Sequence, residues 1–296
     1  AGNIVLSTPG TTTIGTGGGA LQIDGTIDGT SSQAENLTIT TGAGSLTIGG
    51  TIGGTNPLTT LSIAASGAGA IDLAGIGDSD TAGATGTTTV GNTTTTTLTL
   101  SGTIYKTDDS QTYVAKTGQN IDITDAATFT TTNDAVAFNT AGVDLINGNA
   151  GGAHTITVDT GTGAGAVTFG GAIESDGGDD ETLTITSGTG TVTFTGALGA
   201  TQELGGLNVN ASSGNGIITF TGAIGDTNAP QAGVIGTSNI GNTATTRIDL
   251  DGGLYSFDGT TTFETTSGET VAVGATVTVE NTANSLSFSG GDINLD

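Results

Sequence analysis

The sequence predicts an all-β solenoid, in which each turn of the chain lays its strands on those of the turn before. The first observation is an alternating apolar and Thr phrase, which recurs as AVTFGGAI from Ala166, TVTFTGAL from Thr191 and IITFTGAI from Ile217. Such alternation places both apolar side chains on one face of a strand. The second is the step between phrases, 25 and 26 residues, which is the regular period of a repeat protein. The third is composition: 54 glycines suit tight corners, and Thr-rich runs between them favour strands.

Stacking the phrases predicts two ladders of core side chains. One ladder is Val167, Val192 and Ile218, and the other is Phe169, Phe194 and Phe220. Weaker versions of the phrase extend through the chain and give one apolar anchor per turn. The twelve anchors are Leu21, Leu46, Ile71, Leu98, Ile121, Val143, Val167, Val192, Ile218, Ile248, Val271 and Ile293. They predict about twelve turns of roughly 25 residues, and a rod about 55 Å long at about 4.8 Å per turn.

The sequence also contains a second repeat that is longer than a single turn. The segment GNTTTTTLTLSGTIY from Gly91 aligns without a gap on GNTATTRIDLDGGLY from Gly241, and the register continues far enough to place Tyr113 on Phe263. We therefore predict two tandem units of six turns in one continuous solenoid, residues 1–145 and 146–296. The alternative is that aromatic positions recur only because rings stack well along a solenoid core.

Charge and composition exclude several classes of partner. The net charge is −25, with only Lys106, Lys116 and Arg247 as cations, so phosphate neutralisation and nucleic-acid binding are excluded. No apolar run reaches the ~20 residues that span a bilayer. The absence of Cys removes disulfides and thiolate metal sites, and the absence of Met, even at position 1, predicts a processed or excised chain without a signal peptide.

Several phrases resemble a known family of surface proteins. LTITSGTGTVTFTGALG, LNVNASSGNGIITFTGAIG and IYKTDDSQTYVAKTGQNIDITDAATFTTTNDAVAFNTAGVDL resemble the repeat regions of filamentous-haemagglutinin-like adhesins, very large bacterial surface proteins. The resemblance covers nearly the whole chain as a repeat pattern. It implies a right-handed parallel β-helix, exported across a Gram-negative outer membrane to the cell surface. The family's secretion domain carries an Asn-Pro-Asn-Leu type motif, of which Asn56-Pro57-Leu58 is only a part, interpreted here as a turn.

One acidic corner is a candidate metal site. Within the stretch ESDGGDDE, five carboxylates lie on a Gly-rich turn that could supply oxygens to Ca²⁺, the only cofactor considered. They are Glu174, Asp176, Asp179, Asp180 and Glu181. The alternative is a solvated acidic corner that limits lateral contacts, since the spacing matches neither an EF-hand nor the Ca²⁺-binding nonapeptide repeat.

Catalysis finds little support in the sequence. His154 is the single histidine and stands at the start of a predicted strand, and no G-x-S-x-G elbow is present. Many β-helix proteins act on polysaccharides, but no site for such chemistry can be identified, so we predict no enzyme and no catalytic or cofactor-binding residues. Thr runs such as those from Thr93 and Thr128 resemble the arrays of ice-binding solenoids, although they are irregular in the sequence.

The sequence therefore predicts a structural segment of a secreted bacterial surface fibre or adhesin stalk. The rival interpretation is an S-layer or sheath subunit, which would assemble into sheets. Expected partners are copies of itself stacked head to tail, further repeats of the same chain, and surface glycans. Head-to-tail continuity is expected because the 22-residue step from Leu145 to Val167 is also the step from Leu295, through Asp296 and a following Ala1, to Leu21.

Overall fold

The computed structural model describes residues 2–31, 34–64, 69–139, 141–146, 153–176, 181–210, 213–226, 232–274, 278–281, 285–290 and 292–295. Within these ranges every regular element is a strand, and the strands stack in parallel at spacings such as the 25 residues from Leu21 to Leu46. The predicted all-β solenoid is therefore confirmed. Its right-handedness stays a prediction. The same ranges contain no helix that is long and apolar enough to cross a membrane.

Three sheets enclose the core, and the chain passes from sheet A to sheet B to sheet C in a turn. Sheet B has twelve strands: Gly10–Gly15, Glu35–Thr40, Thr60–Ala64, Thr88–Gly91, Gln111–Val114, Val136–Asn139, Val167–Phe169, Val192–Phe194, Ile217–Phe220, Arg247–Leu250, Thr270–Val273 and Asp292–Leu295.

Sheets A and C are built from strands and single-residue bridges. Sheet A contains Ile4–Val5, Ile27–Asp28, Ile104–Lys106, Thr128–Thr130, Thr155–Asp159, Thr182–Thr186, Gly206–Val209, Ser238–Gly241, Thr261–Glu264 and Leu286–Ser289, with bridges at Ile52 and Ile76. Sheet C contains Leu21–Ile23, Leu46–Ile48, Ala70–Leu73, Thr97–Leu100, Asn120–Ile123, Gly142–Leu145, Ile173–Ser175, Leu254–Phe257 and Thr278–Asn281, with bridges at Leu198 and Ile224.

The core is a column of apolar side chains from all three sheets. Alternation along most strands buries every second residue, as in Val192–Phe194, whose two apolar ends are buried and whose central Thr193 is partly exposed. On sheet B the rings of Phe169, Phe194 and Phe220 stack with centroids 5.5 and 4.7 Å apart. The two predicted ladders are thus confirmed, since Val192 also pairs in register with Val167 and Ile218.

One part of the predicted ladder is wrong. We expected Val167 to follow Val143 on a single ladder, but Val143 pairs with Ile173 on sheet C, whereas Val167 pairs with Val136 on sheet B. Among the described residues between Leu145 and Val167 there is one strand, Thr155–Asp159, where earlier turns place two elements between successive anchors. The next anchor, Val167, therefore lies on sheet B and not on sheet C. Alternation alone cannot predict this, because strands of all three sheets share the same pattern.

Aligned segments of the two halves consequently lie on different sheets. Leu98–Leu100 belongs to sheet C and its counterpart Ile248–Leu250 to sheet B. Their local structure is nevertheless the same: Gly91 and Gly241 have φ of 80° and 82°, in the left-handed region that favours glycine. The aligned segments thus differ by a rotation of one sheet about the solenoid axis.

Candidate functional site

The predicted acidic corner lies where the chain leaves sheet C for sheet A. Glu174 is the outward residue of the strand Ile173–Ser175, and Glu181 immediately precedes the strand Thr182–Thr186. Asp176 follows the first of these strands and is exposed. Asp179 and Asp180 lie outside the described residues.

Glu174 bonds to the backbone of the next turn. Its Oε2 accepts hydrogen bonds from the amides of Thr201 and Gln202, each at 3.0 Å. Asp28 does the same in the first half, where its Oδ1 accepts from the amide of Thr55 at 2.9 Å. Asp28 lies on sheet A and Glu174 on sheet C, and each carboxylate satisfies amides that follow a bridge of one residue in the next turn.

Glu181 is fully buried and has different partners from Glu174. The hydroxyl of Ser175 donates to its Oε2, and its Oε1 lies 3.9 Å from Nδ1 of His154. Among the described residues, no group of three or more His, Cys, Asp or Glu side chains is placed to hold a metal ion. The Ca²⁺ site stays a prediction, since two of its five proposed ligands are not described.

Ser175, Glu181 and His154 form a cluster that the sequence analysis did not find. Within the described residues, Oε1 of Glu181 and Nε2 of His154 are buried without a hydrogen bond. Catalysis by a serine nucleophile on the Ser-His pattern requires that the hydroxyl donate to the histidine. Here the hydroxyl of Ser175 donates to the carboxylate instead, so the cluster has the wrong order for that chemistry. The 27-residue separation of His154 and Glu181, one turn, is the signal that could have paired them.

A stack of carboxylates crosses the outer surface of sheet C. Asp122 pairs in register with Asp144, and Asp144 with Glu174, on three successive strands. Burial raises the pKa of all three carboxyls above their ordinary values, and the charge of Asp144 adds to the shift at Asp122. Asn120 donates a hydrogen bond to Asp144, which opposes the shift there. Repulsion among these carboxylates therefore destabilises the folded state at neutral pH.

Two open grooves follow corners of the solenoid. One, of about 390 Å³, crosses successive turns and is lined by groups that include Asp159, Thr189 and Asn215. The other, of about 590 Å³, includes Asp108 and Lys106, whose Nζ donates to the carbonyl of Ser79 at 2.8 Å. Their walls combine hydroxyl, amide and backbone groups with carboxylates such as Asp159 and Asp108.

No known protein family, curated protein or solved structure matches this chain. What the described residues offer is a regular solenoid whose carboxylates mostly face solvent or bond to backbone.

Proposed function

We propose that the chain is a non-catalytic structural segment of a secreted bacterial surface fibre or adhesin stalk. The observation that carries the proposal is the uninterrupted stack of twelve parallel strands in sheet B. Each strand bonds to the strand of the next turn, so length is set by the number of turns, as in other solenoids. At about 4.8 Å per turn, twelve turns make a rod about 55 Å long, which suits a spacer.

The charge distribution supports this role. A chain with 28 acidic residues and 3 cations remains soluble, and its self-repulsion keeps neighbouring fibres apart over most of their surface. The geometry of the Ser175, Glu181 and His154 cluster supports a non-catalytic role, because the hydroxyl donates to the carboxylate and not to the imidazole.

Immunogold electron microscopy tests the proposal directly. Antibodies raised against residues 1–296 are applied to intact cells of the source bacterium and detected with gold particles. We expect labelling along filaments that project from the cell. Labelling that is confined to the cytoplasm would contradict the proposal, and a continuous lattice over the cell body would favour an S-layer or sheath subunit.

A further inference from the structure

Sheet B presents an outward surface without a charged residue over nine successive strands, from Gly10–Gly15 to Ile217–Phe220. The middle outward positions are Thr13, Thr38, Ser62, Thr89, Thr112, Ala137, Thr168, Thr193 and Thr219. The residues two positions before and two positions after each of these are uncharged as well. We name this surface the uncharged face; it belongs to a chain with a net charge of −25.

The uncharged face is regular and is built of small groups. Its middle positions are partly or fully exposed and alternate with buried core residues, so their hydroxyls and methyls point to solvent. The next strand ends the face, because its outward residues are Arg247 and Asp249, which form an ion pair. In the alignment of the two halves, Asp249 falls on Thr99, an uncharged residue of sheet C. The face therefore ends here because of which residues stand on this strand.

Comparison of aligned positions indicates that charge avoids this surface. Asp72 follows Ile71, the third anchor of the first half, and is outward on sheet C, whereas Thr219 follows Ile218, the third anchor of the second half, and is outward on the uncharged face. Likewise Glu264 follows the core residue Phe263 on sheet A, whereas its counterpart Val114 follows Tyr113 at the edge of the uncharged face. At both positions the same repeat element is acidic away from the face and uncharged on it.

We infer that the uncharged face is the surface through which two copies of this chain pack side by side, sheet B against sheet B. Two rods of charge −25 repel each other, and this face is where they can approach without placing carboxylates against carboxylates. Its small side chains permit the spacing of about 10 Å at which two sheets pack.

The size of the face predicts a weak dimer. Nine strands about 4.8 Å apart and five residues wide cover about 40 by 15 Å, or about 600 Å² per copy. The total of about 1,200 Å² is at the low end of specific interfaces. Repulsion between the remaining charges opposes the contact, so added salt strengthens it by screening. This lateral pairing goes beyond the proposed stalk role, which a single rod can also fill.

Sedimentation equilibrium of the full chain at low and high salt tests the inference. We expect a monomer–dimer equilibrium that shifts toward dimer as salt is raised. Thr193→Glu, at the middle of the face, is expected to weaken dimerisation at least tenfold. The matched control is Thr184→Glu, which adds the same charge at an outward position of sheet A and leaves the dimer unchanged. Melting curves verify that both variants remain folded.

Three results would overturn the inference. The first is a parent chain that stays monomeric at every concentration and salt, and the second is equal weakening by Thr184→Glu and Thr193→Glu. The third is a monomer that binds a neutral polysaccharide and loses that binding with Thr193→Glu, which would assign the face to a glycan. None of these results changes where immunogold labels the cell, so the stalk proposal is tested separately.

Discussion

Tyr105 and Tyr255 make the same two buried hydrogen bonds from different sheets of the solenoid. The hydroxyl of Tyr105, on sheet A, donates to the carbonyl of Leu73 at 2.7 Å and accepts from the amide of Gly102. The hydroxyl of Tyr255, on sheet C, donates to the carbonyl of Phe220 at 2.7 Å and accepts from the amide of Gly252. The same local structure therefore occurs in both halves of the chain, displaced by one sheet around the solenoid axis.

Removing these hydroxyls tests whether the two positions are energetically equivalent. Tyr105→Phe or Tyr255→Phe leaves the buried amide of Gly102 or Gly252 without its acceptor, and each is expected to lower the free energy of unfolding by about 1–3 kcal/mol. The carbonyl that loses the tyrosine hydroxyl keeps the hydrogen bond that it accepts from a backbone amide. Urea denaturation monitored by circular dichroism measures both. A loss of stability at one position and none at the other would show that the two tyrosines share their geometry but do not contribute equally to the free energy of unfolding.

The stacked phenylalanines give a second prediction. Phe194 is fully buried between Phe169 and Phe220, so Phe194→Ala creates a cavity and should cost about 3–5 kcal/mol. The control is Thr193→Ala on the same strand, whose side chain points outward and whose loss should change stability by less than about 0.5 kcal/mol. Similar melting temperatures for the parent and Phe194→Ala would contradict the assignment of this ladder to the core.

The stacked turns and the ladders of core side chains could be predicted from the sequence, because a Phe every 25 or 26 residues leaves few other arrangements. Which sheet carries each strand could not be predicted. Val143 and Val167 stand in the same alternating pattern, and only the missing element between them changes the sheet. At the acidic corner, Glu181 stands two residues before the core residue Leu183, so alternation could have placed it inward. Its contact with Ser175, across the glycine-containing turn, could not be predicted from spacing.

The Ca²⁺ hypothesis for residues 174–181 makes a separate prediction. If this corner binds the ion, chelation should lower the melting temperature, because a ligand of the folded state stabilises it. The double variant Asp179→Asn, Asp180→Asn should then melt at the same temperature with and without chelator. Isothermal titration calorimetry of the parent decides the matter, since an absence of heat on adding Ca²⁺ would remove the site.

The carboxylate stack on sheet C predicts how stability depends on pH. Burial raises the pKa of Asp122, Asp144 and Glu174, so the folded state binds their protons more tightly than the unfolded chain does. Their contribution to the free energy of unfolding is therefore greatest at low pH. It is lost as the pH rises from the ordinary pKa of a carboxyl through the raised pKa of the folded state.

Asp144→Asn isolates this contribution, because it removes the central charge and keeps an oxygen that accepts the hydrogen bond from Asn120. It removes two like-charge contacts between adjacent strands, each worth about 0.2–1 kcal/mol. We expect the variant to be more stable than the parent at pH 7 and equal to it once the carboxyls are protonated in both states. The control is Asp251→Asn, which removes a charge from an exposed position outside the stack. Thermal unfolding at a series of pH values measures the differences, and a gain for Asp144→Asn that is the same at every pH, or that Asp251→Asn reproduces in full, would refute the electrostatic cost of the stack.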